Sequence, residues 1–326
     1  MSEEYKLHLY KLPDIADDIF NYEFDIIFSD TINIPLLNLG FNWYFNETKN
    51  KMEIMNDEKI KSKKDLWLIT NPFEHKINDI ENTIENQTKK TFDLKNKKIL
   101  SRAFYKIWEI LIVFDILPKD KNIVTAHLAE GPGSFVQGVF IFRDYYHSNV
   151  SNNDKYCAIT LINNDKESPN LDKKKLECFT KNNIDRYYQH KTNKSDNGDL
   201  TNINVINNFS KEINKKNDKA YLVTADGGFV WKDENNQEQE MYKLLLGEII
   251  TALKIQKENG VFVLKIFDIF TNVTLKLLSI LQSFYNDVYI FKPFLSRQSN
   301  SEKYIIAKKF KNDQIKITKL EKLLSD

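Results

Sequence analysis

The chain has 326 residues, which is enough for one large domain or two small ones with a substantial core. With 41% hydrophobic and 29% charged residues it has the composition of a globular protein, and its net charge of +1 argues against a bulk nucleic-acid packaging role while leaving room for a local basic groove. The two cysteines, Cys157 and Cys178, show no metal-ligand spacing and suggest no disulfide framework.

The amino terminus reads MSEEYKLHLYKLPD and lacks the apolar run of a signal peptide. No stretch of the sequence reaches the ~18 consecutive apolar residues that a membrane-spanning helix needs. Because the cysteines also suit a reducing compartment, these features predict an intracellular protein that is not secreted.

The first 95 residues carry aromatic side chains such as Phe41 and Trp43 but show no clear alternation of strands and helices. We therefore expect residues 1–95 to form an N-terminal extension that packs on a core domain. Of the nine glycines, Gly40 alone lies outside residues 131–260, so sharp backbone turns and close backbone approaches are expected in that later part of the chain.

From residue 122 onward, short β-rich runs alternate with helical stretches. The predicted strands are Ile123–Ala129, Tyr156–Ile162, Ala220–Ala225, Gly260–Ile266, Asp287–Phe291 and Lys303–Lys308. The predicted helices are 134–147, 238–258, 271–285 and a terminal amphipathic helix at 314–324. Strands separated by helices indicate an α/β fold with a mostly parallel sheet and helices on both faces. A polar loop without a helical repeat joins the last two strands, so we expect this pair to be antiparallel.

A glycine-rich turn follows the first predicted strand, in VTAHLAEGPGSF at 124–135. In a doubly wound sheet such a turn lies at the carboxyl end of a strand, where ligands bind, and the start of the next helix favours a carboxylate or phosphate. Gly131 and Gly133 would let the backbone approach a ligand, but the third glycine of a dinucleotide fingerprint is displaced to Gly138. Glu130 would repel a pyrophosphate and could bind an amino group, so S-adenosylmethionine fits better than NAD. The alternative is a strand–helix turn that needs glycine for packing only.

Five segments, taken in chain order, resemble the motifs of the FtsJ-like (RrmJ-type) 2'-O-ribose RNA methyltransferases, particularly the mRNA cap branch of eukaryotes and large DNA viruses. These segments are AEGPGSF, GDLT, TADGGF, FVLKIFD and SNSEKYIIAKKF. The resemblance implies a Rossmann-like, S-adenosylmethionine-dependent methyltransferase domain at 96–310, with an antiparallel last strand and a C-terminal helical tail at 311–326. It also implies S-adenosylmethionine as the cofactor and no metal.

The resemblance places the family's catalytic Lys-Asp-Lys-Glu set on Lys106, Asp226, Lys265 and Glu302. A ribose 2'-hydroxyl is a poor nucleophile, so such an enzyme must align an in-line methyl transfer and remove a proton. We assign Lys265 as the general base, with Asp226 and Lys106 as its orienting partners. Glu302 would then position Lys106 or Lys265. A lysine base needs a lowered pKa, which burial and a neighbouring cation favour and carboxylates oppose.

Taken alone, two of these residues have plainer interpretations. Lys106 could be a solvated lysine on an aromatic-rich helix, and Glu302 could be an ordinary acid at the edge of a strand. Lys265 is harder to explain in this way, because it closes an apolar run at the end of a predicted central strand.

The resemblance also implies a set of cofactor contacts. Its members are Glu130, Gly131, Pro132, Gly133, Ser134, Phe135, Asp199, Leu200 and Asp226. The glycine loop would surround the methionine moiety and Asp199 would contact the adenine, although a Gly-Asp pair is by itself usually a plain turn. Ser134 stands where the loop usually has a second glycine. The acid that usually holds the ribose hydroxyls is not marked out within LINND, among Asn163, Asn164 and Asp165.

RNA contacts are expected from local features around the catalytic set. The candidates for hydrogen bonds to RNA are Arg102, Arg297, Ser299 and Asn300. The candidates for stacking on a base are Phe229 and Trp231. The resemblance, together with the N-terminal extension, implies methyl transfer to the first transcribed nucleotide of capped RNA (cap 0 to cap 1). The alternatives are an rRNA or tRNA 2'-O-ribose methyltransferase, and a non-catalytic RNA-binding subunit with the same fold; an NAD-dependent oxidoreductase fits less well.

The expected partners are the 5' end of capped mRNA and further capping or transcription proteins, with no membrane. The expected location is the cytoplasm (a viral factory or virion, for a virus) or the nucleus.

Overall fold

The computed structural model describes residues 7–25, 39–52, 99–162, 186–193, 195–215, 219–228, 234–296 and 300–325, together with residues 82, 83 and 86. These residues form one eight-stranded sheet. Its strands are β1 (His8–Lys11), β2 (Val124–Leu128), β3 (Lys155–Ala158), β4 (Tyr187–Gln189), β5 (Ala220–Ala225), β6 (Gln256–Ile266), β7 (Tyr285–Lys292) and β8 (Lys303–Phe310). Their order across the sheet is β1-β7-β8-β6-β5-β2-β3-β4.

The sheet is mostly parallel and has an antiparallel end. Strands β6, β5, β2, β3 and β4 pair in parallel, whereas β8 is antiparallel to both of its neighbours, β6 and β7. The predicted α/β fold and the predicted antiparallel pairing of the last two strands are therefore confirmed. Because β8 runs against β6, the residue before β8 lies at the same edge of the sheet as the carboxyl end of β6.

The central strands read as apolar runs because helices cover both faces of the sheet. Alternate residues enter opposite sides of the core: Val223 of β5 and Phe262 of β6 belong to one hydrophobic cluster, whereas Leu222 and Val263 belong to the other. Burying each of these side chains stabilises the fold by roughly 1.5–3 kcal/mol. The sheet that carries the strand ends is thus packed against helices on both faces.

The helices divide between the two faces. They are α1 (Leu39–Met52), α2 (Ala103–Phe114), α3 (Ser134–Tyr146), α4 (Ser148–Ser151), α5 (Ile203–Asn214), α6 (Gln237–Glu240), α7 (Tyr242–Ile255), α8 (Asn272–Phe284) and α9 (Gln314–Ser325). Apolar side chains of α5, α7, α8 and α9 pack on one face, and those of α2 and α3 pack on the other. No helix within the described ranges is both long and apolar enough to cross a membrane.

The predicted helix at 238–258 is wrong at its carboxyl end. Helix α7 stops at Ile255, and Gln256 already has extended backbone angles and pairs with Ala220 of β5. The helical periodicity was extrapolated across this junction because no glycine or proline separates α7 from β6. The predicted strand Tyr156–Ile162 is also too long, because β3 ends at Ala158.

The described part of the N-terminal extension contacts the core through strand β1, through residues 18–20, which contact α8 and α9, and through helix α1. Strand β1 adds to the edge of the sheet by antiparallel pairing with β7. Helix α1 packs Phe41 and Phe45 against Phe270, with ring centroids 6.1 and 5.8 Å apart, and Lys49 Nζ lies 3.9 Å from Asp268 Oδ2. Helix α1 therefore lies beside the loop that leaves the carboxyl end of β6.

Candidate active site

The four residues of the predicted catalytic set meet at one edge of the sheet. Asp226 directly follows β5, Lys265 is the last residue but one of β6, and Glu302 directly precedes β8. Lys106 reaches the same edge from the first turn of α2, which packs on the face that carries Val261 and Val263. Side chains alternate between the two faces along a strand, so the Lys265 side chain lies on the same face as those of Val261 and Val263.

Lys265 and Asp226 form a pair whose geometry follows from strand register. Ala225 pairs with Leu264, which sets the following residues side by side. Lys265 Nζ donates to the Asp226 carbonyl oxygen at 2.9 Å and lies 3.3 Å from Asp226 Oδ1. Tyr304 stands opposite Lys265 in β8, and its hydroxyl donates to Asp226 Oδ1 at 2.9 Å. The Asp226 carboxylate is thus held between an ammonium and a phenol.

Lys106 and Glu302 form a second pair. Lys106 Nζ donates to Glu302 Oε1 at 2.6 Å, and the side chains are only 13% and 10% exposed. The Ser296 hydroxyl donates to the same carboxylate oxygen at 2.8 Å. One turn along α2 from Lys106, Glu109 accepts the backbone N–H of Phe294. Helix α2 is therefore fastened at two points to the connection between β7 and β8.

Charges at this edge act on one another. Burial alone would raise the pKa of Glu302, but the nearby Lys106 and Lys265 and the hydrogen bonds from Lys106 and Ser296 outweigh it and hold the pKa below its usual value. Burial alone would lower the pKa of Lys265, but Asp226, Glu302 and Glu248 outweigh it and raise the pKa. Glu302 is hydrogen-bonded to Lys106 and acts on Lys265 through its charge. Lys265 is accordingly an ammonium in this structure.

The glycine loop builds a small acceptor site beside Asp226. Glu130 is buried; its Oε1 accepts the N–H groups of Phe135 at 2.7 Å and Val136 at 3.3 Å. Its Oε2 is buried and has no hydrogen-bond partner within the part of the chain that the structure describes. Burial, together with repulsion from Asp226, raises the pKa of Glu130 to about 8. An ammonium ligand would satisfy this oxygen and favour its charged form, so the residues present fit the amino group of S-adenosylmethionine.

The remaining loop residues shape that site through their backbone. Gly133 has a φ of 110°, a left-handed conformation that favours glycine, and the Gly131–Pro132 peptide bond is cis. The hydroxyls of Ser134 and Ser101 are 2.7 Å apart, which ties the loop to the segment preceding α2. The Phe135 side chain is fully buried and packs on Tyr304, so only its backbone can face a ligand.

The turn that carries Asp199 is fixed by close packing. Gly198 has a φ of 81°, and a Cβ there would overlap the Thr160 carbonyl oxygen just beyond β3. Asp199 Oδ1 accepts from the Thr201 N–H and hydroxyl at 2.9 and 2.8 Å. Leu200 is buried in the core, and its carbonyl oxygen lies where a Cβ of Gly247 would be. Asp199 Oδ2 and the backbone of this turn are thus what the segment can offer a ligand.

The predicted RNA contacts are only partly described. Arg102 precedes α2, and Asn300 is exposed beside Glu302. The other candidates lie outside the described residues, as do the candidate ribose-binding acids and the predicted stacking aromatics. They are Arg297, Ser299, Phe229, Trp231, Asn163, Asn164 and Asp165.

Two residues at the site were missed by sequence reasoning. Tyr304 reads as one more apolar residue of β8, and only the register with Lys265 reveals its contact with Asp226. Glu248 is fully buried on α7, where a Cβ of Gly227 would overlap its Oε1. Burial raises the pKa of Glu248 to about 8. A glutamate in the apolar face of a predicted helix was the available signal.

Comparison with known proteins yields a consistent set of similarities. A family model for FtsJ-like methyltransferases matches residues 99–310. The mouse cap-specific mRNA (nucleoside-2'-O-)-methyltransferase 1 is 32% identical over 233 residues, covering 65% of this chain and 26% of the mouse protein. The African swine fever virus protein named Probable methyltransferase EP424R is 27% identical over 274 residues, covering 80% of this chain and 63% of the viral protein.

Among solved structures, a protein described as a ribosomal RNA methyltransferase of Plasmodium falciparum is similar, with a TM-score of 0.46 and 20% identity. The similarity covers 65% of this chain and 99% of that protein. The 326 residues span less than two thirds of the length of either curated relative described above.

Proposed function

The chain belongs to the FtsJ-like methyltransferase family, and from this premise we propose that it methylates the ribose 2'-hydroxyl of the first transcribed nucleotide of capped RNA, using S-adenosylmethionine. The observation that carries the proposal is the pairing of Lys265 with Asp226 and of Lys106 with Glu302 at one edge of the sheet. Glu130 lies at the same edge, two residues after the end of β2, and is close enough to interact electrostatically with Asp226 and Lys265.

The proposed reaction needs little covalent chemistry from the protein. Bound S-adenosylmethionine supplies a methyl group on a sulfonium, whose positive charge also favours a neutral lysine nearby. With the cofactor bound, the ribose oxygen would form its bond to the methyl carbon as the carbon–sulfur bond breaks, and the sulfur would keep the bonding electrons. The hydroxyl proton leaves to Lys265, which we assign as the general base.

Lys265 must release its own proton before it can accept another. Asp226 and Glu302 raise its pKa, so the resting side chain is an ammonium, and it would lose its proton to solvent before it accepts the one from the ribose hydroxyl. Asp226 fixes its direction through the contact at 3.3 Å, and Tyr304 fixes Asp226. Lys106 neutralises Glu302 and so limits the negative charge that Lys265 experiences.

The proposed cofactor site uses the residues already described. Glu130 Oε2 would accept from the amino group of the methionine moiety, with the backbone of Gly131, Pro132 and Gly133 around it. The helix start at Ser134 and Phe135 would lie near the carboxylate. Asp199 and the backbone of Leu200 would hold the adenine, and Asp226 would border both cofactor and RNA.

Two observations support capped RNA as the substrate. The mouse relative is named for cap-specific methylation, and helix α1 of the N-terminal extension lies beside the loop after β6, at the edge where the catalytic set meets. Arg102 and Asn300, with Arg297 and Ser299, would contact the RNA backbone or ribose. The expected partners are capped mRNA and other capping or transcription proteins, in the nucleus or in the cytoplasm, including a viral factory.

The proposal is tested by transfer of labelled methyl groups from S-adenosylmethionine to RNAs that are identical except for a 5' cap. We expect label on the capped RNA, at the 2'-oxygen of its first transcribed nucleotide. Equal labelling of both RNAs, or labelling of structured rRNA or tRNA only, would contradict the cap assignment. Cofactor or RNA binding without any transfer would instead indicate a non-catalytic subunit.

A further inference from the structure

The Lys292 side chain joins the two ends of the connection between β7 and β8. It is the last residue of β7, and the last paired residues of the two strands are Phe291 and Tyr304. Lys292 Nζ donates to the Asn300 carbonyl oxygen at 2.7 Å, to Asn300 Oδ1 at 3.0 Å and to the Glu302 carbonyl oxygen at 3.0 Å. An ammonium has three N–H donors, so this one segment engages all of them.

Among the described residues, the three oxygens that accept from Lys292 Nζ are all neutral. The carboxylate of Glu302, whose carbonyl oxygen is one of the three, has its Oε1 engaged by Lys106 and Ser296. Burial lowers the pKa of Lys292 to about 8, and repulsion from Lys303 and Lys106 adds to this, while Glu302 and Asp268 act in the opposite direction. The half-buried Lys292 ammonium donates to two backbone carbonyl oxygens, and these charge-assisted hydrogen bonds fix the backbone of residues 300 and 302.

The contacts also orient the amide of Asn300. An ammonium only donates, so the amide oxygen must be the atom that faces Lys292, and the Ser296 hydroxyl lies 3.3 Å from the same oxygen. The Nδ2 group of this exposed residue therefore points away from Lys292. It can offer two N–H donors to a phosphate, ribose or base oxygen.

We propose that Lys292 is a positioning residue for the RNA side of the active site, which sets the Glu302 backbone for its contact with Lys106 and presents Asn300 to RNA as a hydrogen-bond donor. This rests on the proposed function, since it assigns RNA as the molecule that Asn300 meets. For this role, the Lys292 ammonium must fix the segment 300–302, and turnover with RNA must depend on these hydrogen bonds.

The test compares the Lys292→Met variant with wild type and with Lys309→Met. Lys309 is a suitable control because it lies on β8, is exposed, and pairs with Asp287 far from the site. Hydrogen exchange measured by mass spectrometry should show at least tenfold faster exchange in a peptide spanning 300–302 of Lys292→Met, with peptides from 305–308 unchanged. With capped RNA, we expect kcat to fall and the RNA KM to rise, each about tenfold, while the S-adenosylmethionine Kd stays within twofold.

The outcomes separate this inference from the proposed function. Unchanged exchange at 300–302, or wild-type kcat and RNA KM in Lys292→Met, overturns the role of Lys292. If wild type methylates no capped RNA while Lys292→Met still loses protection and binds RNA tenfold more weakly, the proposed reaction fails and the positioning role stands. Should Lys292→Met not fold, Lys292→Ala replaces it. Faster exchange at 300–302 in that variant, with 305–308 unchanged, supports the role, and wild-type exchange at 300–302 overturns it.

Discussion

Lys106 and Glu302 stand 196 residues apart in the chain and are joined by a hydrogen-bonded ion pair of 2.6 Å. The pair connects the first turn of α2 to the residue before β8, so it fastens a helix on one face of the sheet to the edge where the proposed catalytic residues meet. Ser296 donates to the same oxygen and adds the β7–β8 connection to this junction.

A double-mutant cycle on this pair should show strong coupling. Lys106→Met and Glu302→Gln should each lower the free energy of unfolding by about 3 kcal/mol, because removing one partner leaves the other charge or acceptor uncompensated at a nearly buried site. The double variant should lose clearly less than the sum of the two. Chemical denaturation of the four proteins measures this, and strict additivity would show that the pair contributes no mutual stabilisation.

Substitutions at Lys265 should distinguish proton removal from simple charge placement. Lys265→Met is expected to lower methyl transfer by about 10²–10⁴-fold, and Lys265→Arg should be similarly inactive because a guanidinium keeps its proton at any usable pH. Both should bind S-adenosylmethionine by calorimetry. Lys257→Met, at the exposed start of the same strand, is the matched control. An active arginine variant would assign Lys265 an orienting role instead of that of a base.

Tyr304→Phe should lower turnover with little loss of stability. The substitution removes the hydroxyl that donates to Asp226 Oδ1, a bond whose net contribution to folding is about 1 kcal/mol. An equal loss of transition-state stabilisation would reduce kcat about fivefold. Tyr289→Phe provides the control, since it removes a phenol hydroxyl from the neighbouring strand β7, away from Asp226. Equal kinetics for the two variants would exclude a role for the Tyr304 hydroxyl.

The stability of the protein should respond to pH through Glu248. Its pKa is raised from 4.5 to about 8 in the folded state, so its contribution is fully present below pH 4.5 and is lost as pH rises toward 8, because unfolding releases a proton over that range. Glu248→Gln removes this term. The free energy of unfolding of Glu248→Gln relative to wild type should therefore rise between pH 5 and 8, by at most about 1.4 kcal/mol per pH unit.

Glu258→Gln serves as the control for this series, since Glu258 is exposed on β6. Its free-energy difference from wild type should stay flat over the same range. Parallel curves for both glutamine variants would contradict the burial-driven shift at Glu248.

Gly198→Ala should weaken cofactor binding and destabilise the fold. The φ of 81° costs an alanine about 1–2 kcal/mol, and its Cβ would also overlap the Thr160 carbonyl oxygen, so the turn that carries Asp199 must move. We expect at least a tenfold rise in the S-adenosylmethionine Kd, measured by calorimetry. Gly40→Ala, whose new Cβ on α1 would meet no atom of the described residues within 4 Å, should leave the Kd unchanged and be neutral or slightly stabilising. An unchanged S-adenosylmethionine Kd in Gly198→Ala would show that the turn carrying Asp199 is not part of the cofactor site.

The sequence predicts correctly those features that depend on interactions between residues near one another in the chain. Alternating apolar runs and helical repeats gave the α/β class, and the polar loop before Lys303 gave the antiparallel end of the sheet. Lys265 stood out because an ionisable side chain ending an apolar strand is unusual. The junction at Gln256 was placed wrongly, since the choice between helix and strand there depends on pairing with Ala220, which local propensity does not encode.

What the sequence determined by itself is which residues end the strands, and thus that Asp226 and Lys265 would lie together at the carboxyl edge of a parallel sheet. Only the tertiary structure decided the partners: Glu302 bonds Lys106 and not Lys265, Tyr304 reaches Asp226, and Lys292 holds the segment 300–302. The reason is that hydrogen bonds between strands, helices and loops depend on sheet register and on how helices pack against the sheet. Glu248 and Tyr304 lie among apolar neighbours in sequence, so the charges and donors that face them come from other elements of the chain.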